Sequence, residues 1–152
     1  MLYRCKQFVS AITATLTPAD RELIKSVLSK QEQPLFFAMD IVDQRHCLDV
    51  AKTCKELIKQ GQTDLNQGLL LKAALLHDVG KPAGSLKIWD RVIIVILQKY
   101  RPQRLERLAN RPGTPYHTAL FHPQAGGKLC AAAGCDPELV QLITRHHAPL
   151  AA

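Results

Sequence analysis

Aromatic side chains are scarce, at 5% of a 152-residue chain. No stacking pattern of aromatics accompanies the basic residues and no nucleic-acid motif is present, so nucleic acid lacks support as a partner. Cys-x-x-Cys pairs are absent as well. The cysteines Cys5, Cys47, Cys54, Cys130 and Cys135 make an odd set, which argues against a disulfide framework or a structural zinc knuckle. Cys47 and Cys54 instead share the apolar stripe of one expected helix, as small core residues do in a reducing, cytoplasmic compartment. Long apolar runs are missing too. The longest wholly aliphatic one, Val92 to Leu97, is far too short to cross a bilayer. Residues Met1 to Leu16 place Arg4 and Lys6 before a mildly apolar segment that Ser10, Thr13 and Thr15 interrupt. With no cleavage site following, they read as an amphipathic helix and not a signal peptide.

What remains is a soluble, aliphatic-rich chain with 47% hydrophobic and 22% charged residues. Its length suits one domain able to bury roughly two thirds of its unfolded surface. With few aromatics and much Leu, Ile, Val and Ala, helices packed on helices are expected. The formal net charge of +7 is uneven. Between Lys81 and Arg111, eight basic residues face only Asp90 and Glu106. That segment is either a solvated helix face or an attractor of phosphate forming one wall of a site entrance, through Arg91 and Arg104 among others.

Helical periodicity runs through residues 3–16, then through a second helix opened by Thr17-Pro18 with Leu23, Ile24, Val27 and Leu28 inward. Pro34 starts a third segment. From Gln44 to Gln60 the apolar positions Cys47, Val50, Ala51, Cys54, Leu57 and Ile58 form the cleanest helix. Thr63 or Asp64 is the expected cap of the next helix, which stays apolar up to His77. Residues 85–100 satisfy strand and helix patterns alike around Val92–Leu97, and their length favours helix. A short basic helix lies between Pro102 and the Arg111–Pro115 breaker. A final pair is expected from about Tyr116 to Ala133 and from Asp136, with Pro137 at its first position, into His146-His147.

The centre of the pattern is Leu75-Leu76-His77-Asp78-Val79-Gly80-Lys81-Pro82. Adjacent helical residues point about 100° apart, so His77 and Asp78 cannot both enter a core. From a last helical turn both can reach one ion, and imidazole with carboxylate suits a divalent transition metal. Alone, the pair reads as readily as a helix-end hydrogen bond, and His46 reads equally as a boundary residue or a ligand. The other histidines change the balance. His46, His77, His122 and His146-His147 fall on four separate expected helices, while His117 stands apart. Imidazoles gathered in a core without an ion would leave ring nitrogens unpaired, at about 1–3 kcal/mol each.

These residues resemble the HD-domain metal-dependent phosphohydrolases, and more narrowly their HDIG-type members. The resemblance rests on His46 after Asp43-Gln44-Arg45, on Leu75 through Lys81, on His122-Pro123 with Gly126-Gly127, and on Ile143-Thr144-Arg145-His146-His147. It implies an all-α bundle of about six to eight helices, a single HD-type domain over 1–152. Residues 1–33 would be an N-terminal helical extension and 35–147 the HD core. It implies a divalent ion (Mn, Fe, Mg, Ni, Co or Zn), one or two per chain. His46, His77 and Asp78 would be the first metal set, His122, His146 and His147 the second, and Asp78 the bridge. Asp78 and Lys81 would be catalytic, and Lys81 and Arg145 would contact substrate. The implied activity is hydrolysis of a nucleotide or other phosphoester by metal-activated water. The alternative is a weak or inactive domain that senses or binds metal or nucleotide.

One departure stands out. The family pattern has a further aspartate beyond the paired histidines, whereas Ala148 to Ala152 contain no acid. Asp43, one turn before His46, is the nearest substitute, with a surface or capping role as its alternative. One ion or none is therefore expected after ordinary purification.

Overall fold

The computed structural model describes residues 15–61 and 66–148; the expected helix over 3–16 lies almost wholly outside them. Among the described residues there are eight helices and no strand. They are α1 (Pro18–Val27), α2 (Gln33–Phe37), α3 (Ile41–Lys59), α4 (Gln67–Leu76), α5 (Ile88–Tyr100), α6 (Pro102–Ala109), α7 (Pro115–Ala132) and α8 (Pro137–Arg145). The all-helical expectation holds, and the ambiguous Val92–Leu97 run is helical. None of the described helices is long and apolar enough to cross a membrane.

Local chemistry sets most of the starts. Thr17 caps α1 in a reciprocal box with Asp20, and Pro18 follows at the first position. Thr114 and Asp136 cap α7 and α8, each before a proline. For α4 the cap is Asn66, whose side chain accepts the Leu69 N–H. That corrects the expected Thr63 or Asp64, which lie outside the described residues. Asn has the same short acceptor as Asp or Thr, and the helix simply begins later.

Two closely packed pairs, α3 on α4 and α7 on α8, carry the site, and α4 also meets α8. Ile24, Phe36, Leu48, Leu75, Leu76, Leu139 and Ile143 are fully enclosed between these helices and α1–α2. Leu75 and Leu76 are what bring the end of α4, and with it the His77-Asp78 turn, to the middle of the fold.

Two buried carboxylates tie the periphery to this centre. Asp20 on α1 accepts from Lys52 Nζ at 2.7 Å and Arg45 Nη1 at 2.9 Å on α3. Glu32 accepts from Lys72 Nζ on α4 at 2.9 Å and from the Ser29 N–H at 2.7 Å. Burial alone would raise both carboxyls, but these cations and N–H donors hold them below their ordinary range, Asp20 the more strongly. A depressed folded pKa stabilises fully above the unfolded value, about 4, and the stability is lost as pH falls further. Denaturant midpoints should therefore drop steeply below about pH 4. Asp20→Asn should cost about 2–3 kcal/mol near neutrality and flatten that acid limb. An acid limb of the same steepness in the variant would contradict the assignment.

Candidate metal centre

His77 is the C-cap of α4 and His146 the C-cap of α8. The carbonyls of a last helical turn have no N–H partner within the helix, and these rings supply one. His77 Nδ1 lies 2.9 Å from the Ala74 carbonyl and His146 Nδ1 2.7 Å from that of Ile143. His122 achieves the same in mid-helix. Pro123 follows it inside α7 and brings no N–H to the Ala119 carbonyl. His122 Nδ1 takes that carbonyl at 3.0 Å. A carbonyl only accepts, so in all three rings Nδ1 carries the proton and donates it. When neutral, each ring therefore presents a bare Nε2 lone pair, as a metal ligand must.

Those lone pairs converge. His122 Nε2 is 3.2 Å from His146 Nε2 and 3.1 Å from Asp78 Oδ1. Asp78 Oδ2, on the carboxylate's other side, is 3.6 Å from His77 Nε2 and 4.0 Å from His46 Nε2. The ligand atoms of His46, His77 and Asp78 lie within 4.8 Å of one another, as do those of His122, His146 and His147. Asp78 thus stands between the two groups, one oxygen toward each. The rings also touch in series, with centroids 5.3 Å apart for His46–His77, 5.2 Å for His77–His146 and 4.3 Å for His146–His147. His117 is elsewhere, bonded to the Ala109 carbonyl and set against Phe121.

Electrostatics favour a cation over protons here. Burial raises the Asp78 carboxyl by itself, but His122, Lys81 and His77 outweigh that and hold it far below the ordinary carboxylate range. Burial pushes His77 down to about 4 despite Asp78 beside it. Burial and the neighbouring His146 and His122 rings push His147 to about 4 as well. An ionised Asp78 carboxylate beside the His77, His146 and His147 rings, which burial pushes toward the neutral form, is a donor set suited to a divalent transition metal. Cys47 lies 3.7 Å from His77 Nδ1, but burial raises its thiol well above its ordinary value, so it stays protonated and is no ligand.

The turn that holds Asp78 depends on glycine. A Cβ on Gly80 would collide with the His122 carbonyl oxygen and come within 2.5 Å of the Gly126 nitrogen. Gly126 in turn lies against Gly80 and Ile143, and Gly127 against Thr144. Backbone packed on backbone is what lets Asp78 reach His122. Neither this packing nor the part played by Pro123 is apparent from the residues alone, although a His-Pro pair within a helical run is a usable signal.

The basic segment divides instead of forming one wall. A cleft of about 190 Å³ beside the cluster is lined by Lys81 and Arg91, with Ile94, Val95, Gln98, His122 and His147 among others. Arg101, Arg104, Arg107 and Arg111 line a different basin. Lys81 Nζ bonds Asp78 Oδ2 at 2.7 Å. Arg91 makes two bonds to Asp43, at 2.9 and 2.7 Å. Asp43 is therefore a buried ion-pair partner, neither the surface or capping residue nor the spare ligand expected of it, while Arg91 remains part of the cleft wall. Arg145 is exposed and is not among the residues lining the cleft.

Comparisons with curated proteins and with solved structures found no match. The family model described as HD domain matches residues 44–151, which take in every histidine and the aspartate of the cluster. With that match spanning most of its length, the chain belongs to the HD-domain family of metal-dependent phosphohydrolases.

Proposed function

We propose that this chain is a phosphohydrolase that cleaves a nucleotide or another small phosphoester with the help of one or two divalent ions. His46, His77 and Asp78 would hold the first ion and His122, His146 and His147 the second, with Asp78 standing between the two groups. The reading is carried by one observation: Nδ1 donation frees the Nε2 lone pairs of His77, His122 and His146, of which the first two face the Asp78 carboxylate and the third lies against His122 Nε2. A divalent ion held there supplies Lewis-acid chemistry, polarising a phosphoryl oxygen and acidifying water. Lys81 faces the adjacent cleft, where its ammonium offsets charge developing on the phosphoryl oxygens. The Asp43–Arg91 pair fastens α5 beside the cleft and keeps Arg91 from competing for Asp78. We place the whole of 1–152 in a single domain, in the cytoplasm.

Purified protein assayed on a generic phosphomonoester and on a cyclic dinucleotide, with and without Mn²⁺, tests this reading. Metal-dependent turnover of either supports it. Metal binding without turnover of any phosphoester points to the second reading, a metal- or nucleotide-binding module. What favours that second reading is the supply of negative charge. Asp78 is the only carboxylate in the two ligand groups, and Lys81 already rests on it.

Lys81→Met separates holding an ion from using it. It removes a cation from Asp78, so Mn²⁺ affinity should stay the same or rise. Turnover should fall by roughly a hundredfold through loss of phosphoryl stabilisation. Calorimetry and kcat measured side by side decide the matter; a variant that loses its metal would show Lys81 to be structural.

A further inference from the structure

Helix α5 has the sequence IWDRVIIVILQKY, and none of its residues is buried. A helix apolar on most of its faces belongs inside something. One side leans on the cleft through Ile94 and Val95. On another, Trp89, Ile93, Ile96 and Tyr100 follow at helical spacing and are 72, 41, 51 and 65% exposed. Tyr100 also lines the neighbouring basin of about 750 Å³, whose other walls include Arg101, Arg104, Arg107 and Arg111. Among the described residues these arginines pair with no carboxylate. Lys99 Nζ lies 5.0 Å over the Tyr100 ring and adds to the same margin.

We propose that α5 and the arginine basin together form a docking surface for a membrane leaflet rich in anionic lipid. The apolar stripe would lie in the plane of the interface and the arginines would contact phosphate headgroups. Charge selects this occupant. A second copy of the chain would bring two sets of these cations face to face. A protruding helical stripe with Trp at one end and Tyr at the other matches the water–hydrocarbon boundary, where those two side chains concentrate. The proposal is independent of the metal centre, because neither the stripe of Trp89, Ile93, Ile96 and Tyr100 nor the basin arginines line the cleft beside the histidines.

Trp89 is the only tryptophan of the chain, so its fluorescence reports the surface directly. The full chain is titrated with vesicles of phosphatidylcholine alone and of equal parts phosphatidylcholine and phosphatidylglycerol. With anionic vesicles, Trp89 emission should shift to the blue and lose accessibility to iodide, and rising salt should reverse both. Phosphatidylcholine alone should leave the emission unchanged. Arg104→Gln with Arg107→Gln should weaken partitioning by roughly 25-fold, at about fivefold per cation. Ile93→Ser with Ile96→Ser should abolish the blue shift. Helical content by circular dichroism should stay constant in both. No shift with anionic vesicles overturns the proposal and leaves the face to a protein partner. A blue shift without vesicles that grows with protein concentration overturns it in favour of a second copy. Binding that survives both double variants overturns the assignment of the surface.

Discussion

Asp78→Asn should reduce divalent-ion affinity by roughly two orders of magnitude or more and take phosphoester turnover with it. The substitution keeps the size of the side chain and removes its charge. Asp78 is buried, and its two oxygens face the two histidine groups separately, at 3.1 Å from His122 Nε2 and 3.6 Å from His77 Nε2. Among the described residues no other carboxylate belongs to the two groups, and Asp43 is held by both terminal nitrogens of Arg91. His77→Ala should be as severe, since that ring is fixed by the end of α4 and closes the first group. His147→Ala should be milder. His147 is exposed and belongs to the group that depends on Asp78 for any negative charge. Calorimetric titration with Mn²⁺ across the three variants checks the order. Equal losses at all three positions would mean that the two groups do not differ in the way the geometry requires.

Gly80→Ala should be nearly as damaging without touching a ligand. The added carbon meets the backbone of His122 and Gly126, which cannot swing away as a side chain could. Either the fold absorbs the strain, at about 1–3 kcal/mol or more, or the turn lifts from α7 and Asp78 separates from His122. Metal affinity should fall steeply even where circular dichroism shows helices intact. Gly68→Ala is the contrast. Gly68 sits near the start of α4 with only Asn66 Oδ1 near, at 3.5 Å, so that variant should be neutral or slightly more stable. Unaltered Mn²⁺ binding in Gly80→Ala would refute the close packing of turn on helix.

These two results bear on what a sequence reveals. The helix starts at Thr17-Pro18 and Asp136-Pro137 were legible, because capping depends on residues within a turn of each other. The α3 stripe was legible only in part: Cys47 and Ala51 are buried as expected, whereas Leu57 is exposed and the buried Leu48 was not among the expected positions. The gathering of His46, His77, His122, His146 and His147 was legible because each sits near a helix terminus or beside a proline. Pairings across the fold were not. Asp43 and Arg91 are 48 residues apart, and nothing local says that α5 comes to rest where they meet. The Val92–Leu97 run is helical, as its length favoured, and α5 as a whole has no buried residue. The basic residues were read as one wall because they are close in sequence, and the break at Arg101-Pro102 turns the later arginines into another basin.

The central claim is that a divalent ion occupies the space among these imidazoles and Asp78. Anomalous-difference maps from crystals equilibrated with Mn²⁺ and recorded at the manganese edge test it most directly. The account predicts a peak about 2.0–2.4 Å from Asp78 and from the Nε2 atoms of His46 and His77. Any weaker second peak should fall among His122, His146 and His147. A map without a peak near Asp78, with His122 donating a proton to its carboxylate instead, would contradict the account.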